Sequence, residues 1–176
     1  MKKIVLLLLL FSTQLTKAQE KTSLHMYTFE EVEGLFLKKP KPIVVFIHTD
    51  WCKFCHAMQK NTFSNPEVIA LLNEEFYFIS LDGETKESIS FMGTKFTYKP
   101  YGSSGTHQIV KELATVEGSI SYPTTAFIDK ELGIIFQLQG YIPLKRFLVT
   151  LTEIAKKTNK KGLSKKELKK GRRKYS

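Results

Sequence analysis

The chain alternates between apolar runs that never break for a polar residue and segments whose apolar residues recur at helical spacing. "IVVFI", Ile43 to Ile47, is continuously β-branched and aromatic. Such a run suits a strand covered on both faces. "FYFISLD", Phe76 to Asp82, predicts a second buried strand, and "TTAFID" and "IIFQLQ" predict two more joined by a turn over Lys130 to Gly133. Between them lie helical patterns. Thr28 and Glu31 stand at capping-box spacing ahead of Val32, Leu35 and Phe36, which predicts a helix running to Lys39 before Pro40 and Pro42 break it. A helical segment carries Met58, and Asn65-Pro66-Glu67 restarts a helix with Asn65 as cap and Val68, Ile69, Leu71 and Leu72 on its apolar side. His107 to Ala114 predicts a short helix and Pro143 to Lys157 a final amphipathic one.

"ISFMGTKFTYKPYGSSG" places Gly93 between two aromatic runs, and Pro100, Gly102 and Gly105 break up its second half. A hairpin and then a loop are expected. The resulting order of helices and strands is that of an α/β domain with a mixed sheet.

The first residues change the picture. Met1-Lys2-Lys3, the apolar stretch Ile4 to Phe11, and the small residues Thr16 and Ala18 have the order of a secretory signal over residues 1–18. Eight apolar residues rise only about 12 Å as a helix, too short for a membrane span. The protein is therefore expected to be exported, to a periplasm or the extracellular space, where disulfides persist. The formal net charge of +10 also has to be located: from Lys156 to Ser176 eleven Lys or Arg stand against one Glu. The body before that tail is neutral, which with export argues against nucleic acid as a partner and leaves the tail a weak electrostatic contact with anionic lipid. Residues 24–157 are expected to form one domain and residues 158–176 a basic tail.

The candidate chemistry sits in "TDWCKFCHAM", which holds both cysteines of the chain, Cys52 and Cys55. The stretch is at once Cys-x-x-Cys, a redox dithiol, and Cys-x-x-Cys-His, the attachment motif of a c-type haem with His56 as ligand. A strand ending just before the motif, with a helix opening on it, places the first sulfur among unsatisfied backbone N–H groups that favour a thiolate. Cys52 is then the exposed nucleophile. Cys55, one turn inward on the same helical face, is the resolving thiol. A purely stabilising bridge is a poor alternative because it closes a very short loop. Zinc would need further ligands, and His25, His48, His56 and His107 are scattered. The haem alternative is weakened by the position of the motif after a buried strand.

Trp51-Cys52-Lys53-Phe54-Cys55 together with Tyr122-Pro123-Thr124, just before a strand, resembles the thioredoxin superfamily, and most closely the exported thioredoxin-like and thiol–disulfide interchange domains of bacteria. The resemblance implies a thioredoxin fold: a mixed central sheet flanked by helices, here with a hairpin and loop insertion before the cis-proline. It implies that Pro123 is that cis-proline, faces the sulfurs and keeps metal from them. It further implies that the backbone of Tyr122 pairs with an extended substrate segment and that Trp51 shields the sulfurs and forms part of the docking surface. Lys53 and Asp50 are the expected tuning residues, and His56 caps or flanks the motif helix. The implied activity is that of an exported thiol–disulfide oxidoreductase, a monomer without cofactor or metal, acting on disulfides or thiols of exported proteins and supplied by an electron donor across the membrane. A redox-inert binding module of the same fold, or a c-type haem protein, is the alternative.

Two departures from the family pattern matter. Many thioredoxins carry a buried Asp six residues before the first cysteine, and this chain has Phe46 there. Proton handling at Cys55 must then fall to water, Asp50 or Lys53. Some 40 residues also separate Asp82 from Pro123, more than a minimal thioredoxin needs; the surplus carries Phe91, Phe96, Tyr98 and Tyr101. It would be a recognition lip or a hairpin covering a sheet edge.

Overall fold

Because Ile43 to Ile47 offer no polar face to water, strand β1 (Ile43–His48) has to be covered on both sides, and it lies second from one edge of a four-stranded sheet. The computed structural model describes residues 23–102 and 104–160, so the expected signal segment and the tail beyond residue 160 lie outside the described residues. β1 pairs in parallel with β2 (Tyr77–Asp82) and antiparallel with β9 (Thr124–Ile128), which in turn pairs antiparallel with β10 (Ile134–Gln139). The sheet order is β10-β9-β1-β2.

Strand alternation then divides the core. Ile43, Val45 and Ile47 point into one cluster, shared with α1 (Phe29–Lys38) and α4 (Gln108–Ala114). Val44 and Phe46 point into the other, shared with α2 (Lys53–Asn61), α3 (Pro66–Glu75) and α5 (Leu144–Lys160), and this second cluster contains both cysteines. Helices on both faces of a mixed sheet are the architecture expected from the sequence.

Local signals place the helix starts. Thr28 Oγ1 accepts from Glu31 N while a Glu31 carboxylate oxygen accepts from Thr28 N, closing the capping box at 3.2 and 2.8 Å. Asn65 Oδ1 accepts from Glu67 N and Val68 N, with Pro66 in the first turn of α3. Lys39 caps the C-terminus of α1 and Phe76 that of α3, so each neighbouring prediction is one residue too long at that point.

The insertion differs from expectation. β3 (Ile89–Phe91) and β4 (Thr94–Phe96) form the expected hairpin, turning through Met92 and Gly93, both with positive φ. The expected loop after it is a second hairpin, β5 (Tyr98–Tyr101) with β6 (Ser104–His107). Pro100 does not prevent it, because a two-stranded ribbon is all edge and can spare one N–H donor. Gly105 is no breaker there either: a Cβ would meet the Tyr98 ring at 2.4–2.5 Å, so the glycine lets the two strands close. A third ribbon, β7 (Thr115–Val116) with β8 (Ser119–Ile120), turns on the positive-φ pair Glu117-Gly118 and is too short for alternation to reveal it. The aromatic segment divides by depth. Phe91 and Phe96 are buried against the α1 face, Tyr98 is partly buried, and Tyr101 is 86% exposed. Backbone N–H groups of Ser90 and Met92 donate to the Glu30 and Glu33 carboxylates, which fastens the first hairpin to α1, while Gln137 and Gln139 of the edge strand β10 donate to Leu113 O and Ser119 O farther along the insertion.

Candidate active site

β1 delivers the chain to the site at His48. Thr49 O then accepts from Cys52 N at 3.2 Å, and Cys52 becomes the N-cap of α2, its Sγ accepting from Cys55 N at 3.1 Å. This is the helix N-terminus expected for the first cysteine. Cys52 and Cys55 are joined by a disulfide, with Cα atoms 5.2 Å apart. Cys52 is not exposed, however: it is 4% accessible and Cys55 1%. The bridge holds the Cys52 sulfur against Cys55 in the α2 cluster, and the side chains standing outward beside it are Trp51 and Phe54, each 65% exposed.

Trp51 is held from two sides. Its Nε1–H donates to Glu84 Oε1 at 3.1 Å, and its ring stands edge-on to Tyr122 at 5.9 Å. Tyr122 donates its hydroxyl to Gly83 O at 3.3 Å, and burial, with the Glu84 and Asp82 carboxylates nearby, holds its phenol pKa above the usual value. The Tyr122–Pro123 peptide is cis, and Pro123 is buried. Pro123 O accepts from Gly140 N at 2.7 Å, while Ile142 N donates to Met58 Sδ and Thr62 Oγ1 donates to Ile142 O. The turn after β10 therefore ties the proline to the motif helix. The register of β9 with β1 and β10 ends at Thr124, which leaves the Tyr122 main chain just beyond the ladder.

The family with the description Thioredoxin-like domain matches residues 14–155. The chain belongs to that family. Similar solved structures are "DsbH Oxidoreductase", 19% identical with TM-score 0.55 over 82% of this chain and 92% of that one, and a thioredoxin from Thermus thermophilus, 24% identical with TM-score 0.55 over 77% and 90%. They share the fold. Curated relatives match shorter stretches: Spermatogenesis-associated protein 20 of Mus musculus is 35% identical over 52 residues, and an uncharacterized Caenorhabditis elegans protein is 27% identical over 86. The chain spans 7% and 12% of the length of these two relatives.

A disulfide-bonded Cys-x-x-Cys at the N-terminus of the helix after β1 is the arrangement that thiol–disulfide exchange requires. His56, the ligand a haem would need, uses Nε2 to donate to Asp50 O at 2.7 Å, so it flanks the motif. Asp50 and Lys53 are both exposed. Among the described residues no group of three His, Cys, Asp or Glu is arranged to hold a metal.

Phe46 occupies the position where thioredoxin-like domains often carry a buried carboxylate; it is 1% exposed, with the Phe63 ring at 4.7 Å and the His48 ring stacked at 5.4 Å. His48, two residues on and on the same face, pairs Nε2 with Ser80 Oγ at 2.9 Å. Burial lowers its pKa; the Asp82 and Asp50 carboxylates oppose that and His56 adds to it. His48, Gly83, Glu84 and the Gly140–Ile142 turn are the parts of the site that no sequence motif marks. Gly140, at φ 83°, follows a strand pattern directly and is the one signal the sequence offers for them.

Proposed function

We propose that this thioredoxin-like protein works outside the cytoplasm as a reductase or interchange protein for protein disulfides, with Cys52 attacking and Cys55 resolving. The observation that carries the assignment is Cys52 at the N-cap of α2, where free backbone N–H groups and the helix dipole favour its thiolate. In the reduced protein the Cys52 thiolate attacks one sulfur of a substrate disulfide, and the electron pair leaves on the other, which takes up a proton. Cys55, deprotonated, then attacks Cys52 Sγ. The mixed disulfide breaks, the second substrate sulfur leaves as a thiolate, and the Cys52–Cys55 bridge forms.

Tyr122 and Pro123 would hold an extended substrate segment by strand addition, with Trp51 as an apolar wall. Lys53 and Asp50 would tune the thiolate. A donor delivering electrons from across the membrane would return the bridge to the dithiol. Export rests on Lys2, Lys3, the Ile4 to Phe11 run and Ala18; the protein would act as a monomer, its basic tail adding a weak contact with anionic lipid. The helix dipole and Lys53 favour the thiolate, but Phe54 adds apolar surface rather than charge and no histidine lies between the cysteines, so the stabilisation is moderate. The midpoint potential should therefore lie nearer thioredoxin's roughly −270 mV than the roughly −120 mV of a strong oxidant.

The test is insulin reduction driven by a dithiol. Wild-type protein should catalyse it, Cys52→Ser should abolish it, and Cys55→Ser should accumulate a mixed disulfide at Cys52. Mass spectrometry of the singly alkylated reduced protein should find the label on Cys52. Retained activity in Cys52→Ser, or a label mainly on Cys55, would reverse the roles.

A further inference from the structure

Thr125 is fully buried, and its Oγ1 has no hydrogen-bond partner among the described residues. A threonine hydroxyl can donate one hydrogen bond and accept others, and leaving it unpaired away from water has a cost that the fold must meet elsewhere. Its location is informative. On β9, Thr125 is two residues before Phe127, so the two share a face, and Phe127 belongs to the cluster that contains Cys52 and Cys55. Its cross-strand partners, Phe46 on β1 and Leu138 on β10, also pack in or against that cluster. The hydroxyl thus faces the cysteine side of the sheet, two residues past Pro123. Of the other unpaired buried hydroxyls, Thr94 belongs to the insertion and Thr49 follows the end of β1, where alternation no longer sets its face.

A sulfur inside a disulfide has no proton to donate and is a weak acceptor. The same sulfur as a thiol can donate, and as a thiolate it is a strong acceptor. Cys55 is 1% exposed among apolar side chains, where burial disfavours the thiolate it must become to resolve a mixed disulfide. His48, the histidine on that face of β1, already has its Nε2 on Ser80. We propose that the Thr125 hydroxyl is the hydrogen-bond partner of the Cys55 sulfur in the dithiol state, so that Thr125 tunes the redox equilibrium of the pair. The assignment rests on the proposed role of Cys55 as the resolving thiol. The hydroxyl is unpaired when the bridge is closed and paired when it is open, and both conditions shift the equilibrium toward the dithiol.

The experiment equilibrates the wild-type protein, Thr125→Val, Thr125→Ala and Thr125→Ser with glutathione redox buffers and reads the fraction of dithiol by alkylation and mass spectrometry. In each case two glutathione thiols supply the two electrons and two protons that open the bridge, and leave as glutathione disulfide. Thr125→Val should shift the equilibrium toward the disulfide about tenfold, or about 30 mV. Thr125→Ala should move it in the same direction, and Thr125→Ser should stay within about twofold of wild type. Oxidised Thr125→Val should unfold at or above the wild-type denaturant concentration, because it has lost an unpaired hydroxyl and kept its shape. Equal equilibria for Thr125→Val and wild type, or an equal shift in Thr125→Ser, would overturn the assignment of Thr125 while leaving the dithiol reading intact. A wild-type bridge that does not exchange with glutathione at all would overturn both.

Discussion

Gly83 follows β2 directly, and a Cβ added there would lie 2.3–2.6 Å from Cε1, Cζ and the hydroxyl oxygen of Tyr122. Its φ is outside the left-handed region, so alanine is compatible with the backbone, and the ring is what must move. Displacing Tyr122 breaks its hydrogen bond to Gly83 O and its edge contact with Trp51. The hydrogen bond contributes about 0.5–1.5 kcal/mol net and the aromatic pair about the same. Against this, replacing glycine lowers the entropy of the unfolded chain and returns about 0.4–1 kcal/mol. Gly83→Ala should therefore destabilise the oxidised protein by about 1–2 kcal/mol, which is about 3–8 °C in Tm for a domain of this size. Urea unfolding followed by the fluorescence of Trp51, the one tryptophan, reads stability and site together. The native emission should change as well, since Trp51 loses a neighbour. A double-mutant cycle makes the reasoning refutable: in a Tyr122→Ala background there is no ring to displace, so Gly83→Ala should become neutral or stabilising by about 0.4–1 kcal/mol. Destabilisation of the same size in both backgrounds would show that Tyr122 is not what fills the space over Gly83.

Burial lowers the His48 pKa from its ordinary 6.5, so as pH falls the unfolded chain binds the proton first. The stability owed to neutral His48 should be complete above about 6.5 and lost as pH drops through the lower folded value; His48→Gln should flatten that acid limb in denaturant midpoints, and an unchanged slope would refute it. Phe147 is fully buried against Phe63 and Phe127 on the cysteine face. Truncation in Phe147→Ala should cost about 3–5 kcal/mol in urea unfolding. Thr28→Ala removes one side of the capping box and should cost about 1 kcal/mol without changing insulin reduction, because α1 covers the face away from the cysteines. Loss of activity in that variant would show that the two faces are coupled.

What could be read from the chain was local. The capping box at Thr28, the cap at Asn65, the buried run Ile43 to Ile47 and the cysteine opening α2 each depend on residues within about a turn or a strand of one another, where sequence neighbours decide conformation. A Cys-x-x-Cys after one strand and a Tyr-Pro-Thr before another carried the family resemblance that implied the fold; that the two motifs stand at the ends of strands lying side by side is seen only in the structure. Tertiary structure alone decided the rest. Cys52 is buried because the bridge and the α2 cluster enclose it, and no neighbour in sequence records that. Trp51 meets Glu84, Tyr122 lies over Gly83, and Pro123 is tied to Gly140, contacts between segments that only the sheet order brings together. The second hairpin was hidden for a related reason. Pro100 and Gly105 disfavour a strand judged alone, and it took the pairing of the two segments, with the Tyr98 ring filling the space a Cβ would need, to make one.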